Sequence, residues 1–336
     1  MPKCIRILQI GDIHLPEWSP TPSPVDLKDK AFSTEIVRDI SNERLRQVLR
    51  RIHDICASGG IDCVAVMGDF TSYGKSNFIG PAIEIIDSLL RNKNGDRPPV
   101  VGVPGNHDVD KPTAAKLGKK GKFNTVLAEF EKREWKRAPI DECLSHDIPM
   151  GASGNLSILL LNSSIGSWSK HILQKALQAD FEDSDLAKSP IAASSAATDD
   201  LAPVTAAAQL AEPVTRDDQL FTQLDTPYIS RNSIETLNQK LAKCEHRTTV
   251  LVAHHNLLPQ RVPRILAYGE LLNAGAFRDF LHQSQKNIIY LHGHIHEDPV
   301  ECVFAPKRDF SESETTQIVT ISAPSVLNLT LATCSL

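Results

Sequence analysis

The sequence lacks any apolar run approaching the ~18 consecutive residues that a membrane-spanning helix requires. Its amino-terminal stretch from Cys4 to Ile10 is cut off by Gly11 and Asp12, so neither a signal peptide nor a membrane anchor is expected. Paired cysteines are lacking as well. Cys4, Cys56, Cys63, Cys143, Cys244, Cys302 and Cys334 are odd in number and scattered, with no C-x-x-C spacing. Neither a zinc knuckle nor a redox motif organises the chain, and a reduced, cytoplasmic protein is expected. Nor is there an excess of cations. Lys and Arg number 36 against 41 Asp and Glu, a net charge of -5, whereas a domain that grips nucleic acid over its whole surface is normally basic. Nucleic acid enters only as a substrate met locally.

What is present is ample apolar material: hydrophobic residues are 41% and charged residues 23% of 336, enough for a sizeable core. Short β-branched runs alternate with amphipathic stretches, which indicates an α/β fold. Strands are expected at Cys4 to Ile10, Cys63 to Met67, Pro99 to Val103, Ser157 to Leu161, Thr248 to Ala253 and Asn287 to Leu291. Further strands are expected near Val300 to Phe304, Thr316 to Ile321 and Val326 to Leu331. Apolar residues at helical spacing predict helices over Asn42 to Cys56 and Ile79 to Leu90. Residues 169–227, with an Ala-Ala-Ser-Ser-Ala-Ala-Thr run and few large apolar residues, read as a mobile insertion within a single domain spanning 1–336.

The metal-capable residues fall at strand ends. Asp12 and His14 follow the first strand, Asp69 the second, Asn106 and His107 the third, and His254 and His255 another. His294 and His296 follow the next. Open α/β sheets bind ligands beyond the carboxyl ends of their strands, so five clusters at five such ends converge. In extended backbone, residues two apart point the same way, which lets Asp12 with His14, and His294 with His296, present donor pairs. Gly11, Gly68, Gly105 and Gly293 each precede a candidate ligand and suit sharp turns. Imidazole, carboxylate and amide donors without thiolate indicate Mn, Fe or Zn. The donors are too many for one tetrahedral ion and suit two divalent ions sharing a carboxylate.

The ordered motifs Asp12-Ile13-His14, Gly68-Asp69, Gly105-Asn106-His107-Asp108, His254 and Gly293-His294-Ile295-His296 resemble those of the calcineurin-like metallophosphoesterases. That resemblance implies a four-layer αββα sandwich of two mixed sheets flanked by helices. It implies that Asp12, His14, Asp69 and His296 hold one ion, and that Asp69, Asn106, His254 and His294 hold the other. It further makes His107 a catalytic group facing the scissile phosphate and Asp108 its partner, orienting the loop. His254, directly after its strand, is favoured over His255 as the ligand; His255 approaches the substrate or packs. His292 is expected in the core or behind the ligands. The run Lys116, Lys119, Lys120 and Lys122 reads as a solvated loop.

The family's Ser/Thr protein phosphatases carry GD-x-x-DRG, but this chain has Ser72 and Tyr73 after Gly68-Asp69 and lacks that arginine. The motif set looks nearer the bacterial branch of class III cyclic-nucleotide and glycerophosphodiester phosphodiesterases. The expected function is therefore a dinuclear-metal phosphodiesterase acting on a small phosphoester, with a hydroxide generated at the ions attacking phosphorus in line. A DNA-repair-type metallonuclease is the alternative, and a non-catalytic scaffold of the same fold is disfavoured by the complete ligand set.

Overall fold

A computed structural model describes residues 4–15, 43–71, 74–92, 94–109, 114, 121–151, 154–169, 224–259, 270–295, 300–304 and 316–323. Within them, β1 (Ile7–Ile10), β2 (Cys63–Val66), β3 (Val100–Gly102) and β4 (Lys136–Arg137) form one sheet in that order. A second sheet has the order β11-β12-β10-β9-β6-β5. Its strands are β5 (Cys143–Pro149), β6 (Asn155–Leu161), β9 (Thr248–Val252), β10 (Asn287–His292), β11 (Val300–Phe304) and β12 (Gln317–Ser322). Pairing in the four-stranded sheet is parallel throughout. Only the larger sheet is mixed, because β5 and β11 each turn back antiparallel on a neighbour, β6 and β12.

Side-chain alternation separates the layers. On β2, Cys63 and Ala65 join the core between the sheets, together with Leu156, Ile158 and Leu160 of β6, Val250 and Val252 of β9, and Ile289 and Leu291 of β10. The intervening Val64 and Val66 face outward onto α1 (Glu43–Ser58), α2 (Ser76–Leu89) and α3 (Asn124–Lys132), meeting Leu49, Ile52, Ile83, Ile86 and Phe130. On the far side, Leu159, Leu161, Leu251 and Tyr290 face outward onto Leu237 and Leu241 of α4 (Arg231–Leu241) and Phe277 and Leu281 of α5 (Ala274–Gln283). Helices, sheet, sheet and helices thus make the four layers that the motifs imply. Strands buried on both faces read as continuous apolar runs, which is why β2, β6, β9 and β10 are visible in the sequence.

Several elements depart from expectation. The strand at Cys143–Pro149 is half-exposed along Ser145, His146 and Asp147 and so lacks an apolar run. Residues 170–223 of the expected insertion lie outside the described residues, as does the strand expected at Val326 to Leu331. The two ends of the insertion are described. β7 (Ser167–Ser169) and β8 (Leu224–Asp225) pair antiparallel, Ser167 opposite Asp225 and Ser169 opposite Leu224. Helix α4 then starts at Arg231 because the Ser230 hydroxyl caps it, accepting from the Ser233 N–H at 3.1 Å. Among the described residues, no helix is long and apolar enough to cross a membrane.

Leu160 is fully buried between the sheets. Leu160→Ala is expected to cost about 2–5 kcal/mol through lost transfer energy and a residual cavity. Urea unfolding monitored by circular dichroism measures it, and a loss below about 1 kcal/mol would show that the inter-sheet core relaxes freely.

Candidate metal centre

The site lies where the carboxyl ends of the two sheets meet. Backbone pairing continues past the strands: the Asp12 N–H donates to the Gly68 carbonyl at 3.3 Å and the His14 N–H to that of Asp69 at 2.9 Å. Across the sheets, the Gln9 side-chain amide donates to the carbonyls of His292 (2.9 Å) and Ile321 (3.0 Å). The first motif is thereby held against the last.

Asp12, His14 and Asp69 bring one donor atom each within 4.8 Å of one another, and so do His254, His255 and His294. The Asp69 Oδ2 atom stands between the groups, 3.6 Å from His14 Nε2 and 3.4 Å from His254 Nε2. Its Oδ1 accepts the His107 N–H at 2.8 Å. Asn106 adds its Oδ1 at 3.0 Å from His254 Nε2. His296 lies outside the described residues.

Hydrogen bonding separates the two competing histidines. The His254 Nδ1 atom is 2.5 Å from the Met67 carbonyl, which only accepts, so Nδ1 carries a proton and Nε2 is the atom turned toward the oxygens of Asp69 and Asn106, where it gives up its own proton when an ion takes that place. This is the arrangement by which ligating imidazoles are usually oriented. The Ser163 Oγ atom accepts the N–H groups of His254 (3.2 Å) and His255 (3.0 Å) and lies 2.9 Å from His255 Nδ1. With its lone pairs taken, that hydroxyl donates to His255 Nδ1, placing the ring proton of His255 on Nε2. His254 is therefore prepared as a ligand, whereas His255 presents a buried Nε2–H with no hydrogen-bond partner among the described residues. Burial and the neighbouring rings of His294 and His254 hold His255 well below the usual histidine range, so it stays neutral.

Electrostatics fit the donor set to cations. Burial would raise the Asp69 carboxyl, but His254, His107 and His14 hold it well below the usual carboxylate range. Burial opposes charge on His254, yet Asp69 beside it carries that ring up to about 10. Such a pair prefers positive charge between its partners, a preference that a divalent ion satisfies with oxygen and nitrogen donors already converged.

Asp108 does not face this space. Fully buried, it accepts the N–H groups of Asp69 (2.8 Å), Phe70 (2.9 Å) and Gly105 (2.8 Å). It is a positioning residue for two loops and not a group that touches substrate. Burial and then the charge of Asp69 push it up to about 7. His292 lies behind the site, its Nδ1 3.0 Å from the Gly293 carbonyl, and burial takes it down to about 4. The glycines serve two purposes. Gly68 has φ +76, whereas Gly105 and Gly293 leave room: a Cβ would collide with the carboxylates of Asp69 and Asp12 respectively. Lys122 departs from the solvated reading, being buried with its Nζ donating to the Ser167 carbonyl; Lys116, Lys119 and Lys120 lie outside the described residues. Ser163 was missed by sequence reasoning. Its signal was the polar Asn162-Ser163-Ser164 immediately after β6, one more strand end on the same edge.

The sequence profile of the calcineurin-like phosphoesterases matches residues 5–187, more than half of the chain. The chain belongs to that family. With it the protein is placed among the metal-dependent phosphoester hydrolases. No curated protein matches the chain. Among solved structures, it is similar to a dimetal phosphatase from Danio rerio (13% identity, TM-score 0.47, covering 97% of this chain and 89% of that one). It is also similar to a putative 5'-nucleotidase from Staphylococcus aureus (10% identity, TM-score 0.46, 96% of this chain). The chain spans 49% of the length of the latter.

Asp108→Asn replaces one acceptor oxygen by a donor amide and strands at least one of the three buried N–H groups, at about 1–3 kcal/mol. Metal affinity is expected to fall about 10–100-fold as the Asp69 and Asn106 loops loosen. Denaturant unfolding and Mn2+ titration calorimetry check both, and wild-type values for the two would remove Asp108 from the positioning role.

Proposed function

We propose that the protein hydrolyses small phosphodiesters at this centre, using two divalent ions of the Mn, Fe or Zn kind. Asp12, His14, Asp69 and His296 would hold one ion, and Asp69, Asn106, His254 and His294 the other. Such ions, when bound, supply Lewis-acid stabilisation of the phosphoryl oxygens and lower the pKa of water. The chain's own residues do the rest. Asp69 sets the charge of the centre, Asp108 fixes the loops that carry Asp69 and Asn106, and Ser163 fixes His254 and His255.

The observation that carries the diester reading is which motif residues reach solvent. Asp12, Asp69, Asn106, His254 and His294 are buried, while His14 and His107 are half-buried and meet edge to face at 5.0 Å. What the motifs offer an incoming phosphoester is thus a pair of imidazoles and no guanidinium. A diester carries one negative charge and a monoester close to two near neutral pH, so motifs whose described residues supply no such extra cation suit the diester. His107, its backbone N–H fixed to Asp69 and its ring on the open side, is placed to donate a proton to a leaving oxygen or to offset developing charge.

With bis-aryl and mono-aryl phosphates in Mn2+ buffer, kcat/KM is expected to favour the diester after correction for leaving-group reactivity. A clear monoester preference would overturn the reading, and salt-sensitive cleavage of single-stranded DNA above the small-diester rate would move it to a nuclease. His107→Asn is expected to keep its metals and lose ~10²–10⁴ in rate. Metal analysis beside kinetics decides this, since loss of an ion would make His107 a ligand.

A further inference from the structure

A third ring stands beside the two half-buried imidazoles. Trp168 lies 6.5 Å from His107, ring centre to ring centre, with the planes at 74°, and it too is half-buried. Its backbone has φ +55, a conformation that bulky side chains rarely adopt and that persists only where the surroundings enforce it. The enforcement is visible. The indole N–H donates to the Asn106 carbonyl at 2.6 Å. The preceding residue, Ser167, is fully buried and donates its N–H to the Ser164 carbonyl at 3.0 Å. The Ser167 carbonyl accepts from the buried Lys122 ammonium. Ser167 also pairs with Asp225 in the β7–β8 ribbon. A buried lysine, a ribbon and a strained backbone hold one indole at the edge of the centre, tied to the loop that carries Asn106 and His107.

We infer that Trp168 is a specificity-determining wall of the site: it packs against the planar organic group of a bound phosphoester and selects aryl or heteroaryl, nucleoside-like esters over alkyl ones. This rests on the phosphoester reading above. A flat, rigid side chain offers large contact area for little lost rotamer entropy, and every aromatic or heteroaromatic ring has a face that can stack on it. Core packing alone does not account for the residue. Trp168 packs against the helix-side core yet keeps part of its surface exposed, and a ring placed solely for packing needs neither the left-handed backbone nor the bond to Asn106.

Two diesters with the same leaving group test the inference, phenyl p-nitrophenyl phosphate and methyl p-nitrophenyl phosphate, with rates corrected for uncatalysed reactivity. The wild type is expected to favour the phenyl ester about tenfold in kcat/KM, chiefly through KM. Trp168→Phe keeps most of that ratio, since a ring remains, and Trp168→Leu reduces it to about one. A ratio unchanged in Trp168→Leu, or a wild type with no preference, overturns the inference. Titration calorimetry of phenylphosphonate and methylphosphonate into the Mn2+-loaded wild type and Trp168→Phe reads the same preference without turnover, and does so even if Trp168→Leu fails to fold. Tenfold tighter phenylphosphonate binding with no hydrolysis of any ester would leave the wall standing and remove the hydrolase reading. Equal binding of the two phosphonates would remove the wall.

Discussion

Negative charge taken out of water governs how the strand ends are built. Asp12 and Asp69 are each 1% exposed, and a carboxylate removed from water costs several kcal/mol unless charge and hydrogen bonds replace its hydration. Backbone supplies part of the replacement. Both oxygens of Asp12 accept the His294 N–H, at 3.0 and 2.8 Å, and Asp69 accepts that of His107. Each of these bonds joins distant parts of the chain, 282 and 38 residues apart, so satisfying the carboxylates also closes the site. The Asp69 Oδ2 atom stands between the imidazoles of His14 and His254, and the negative charge gathered there is what attracts a cation.

The same requirement explains the unusual backbone. Asp12, His14, Asp69 and His294 all have positive φ, a placement that costs non-glycine residues of order 1–3 kcal/mol each. Such strain survives only on a scaffold with stability to spare. Here the scaffold is two sheets whose facing side chains are almost wholly buried. The turns cannot relax without withdrawing the side chains from one another, and they cannot be rebuilt easily. At Gly105 and Gly293 even a methyl group would displace the carboxylate opposite.

Legibility in the sequence followed how local the physics was. Strands β2, β6, β9 and β10 were readable because both faces are buried and the apolar run is unbroken. β5 was not, since its half-exposed Ser145, His146 and Asp147 look like loop. The two-residue β4 and β8 carry no periodicity at all. In the site, the spacing of Asp12 with His14 and the glycines before each cluster marked the region, but their reasons were only partly visible. Gly105 and Gly293 are small to admit a carboxylate, not to turn the chain. The different preparation of His254 and His255 depends on Met67 and Ser163, which lie 187 and 92 residues from their respective bonded rings. No spacing rule reaches that far. Trp168, a lone aromatic before a polar stretch, carried no pattern.

The two sheets contribute different chemistry to one centre. From the four-stranded sheet come both carboxylates, Asn106, His14 and His107; from the six-stranded sheet come His254, His255 and His294, none of them acidic. Neither sheet alone offers a site that balances its charges. The apolar packing of Ala65, Met67 and Val103 against Leu160, Val252 and Leu291 is therefore part of the functional apparatus, since it fixes the distance at which imidazole from one side meets carboxylate from the other. By linkage, any ion that both sides hold stabilises the contact between the sheets in proportion to its affinity and concentration. The inter-sheet core and the centre are one cooperative unit, in which loosening either one weakens the other.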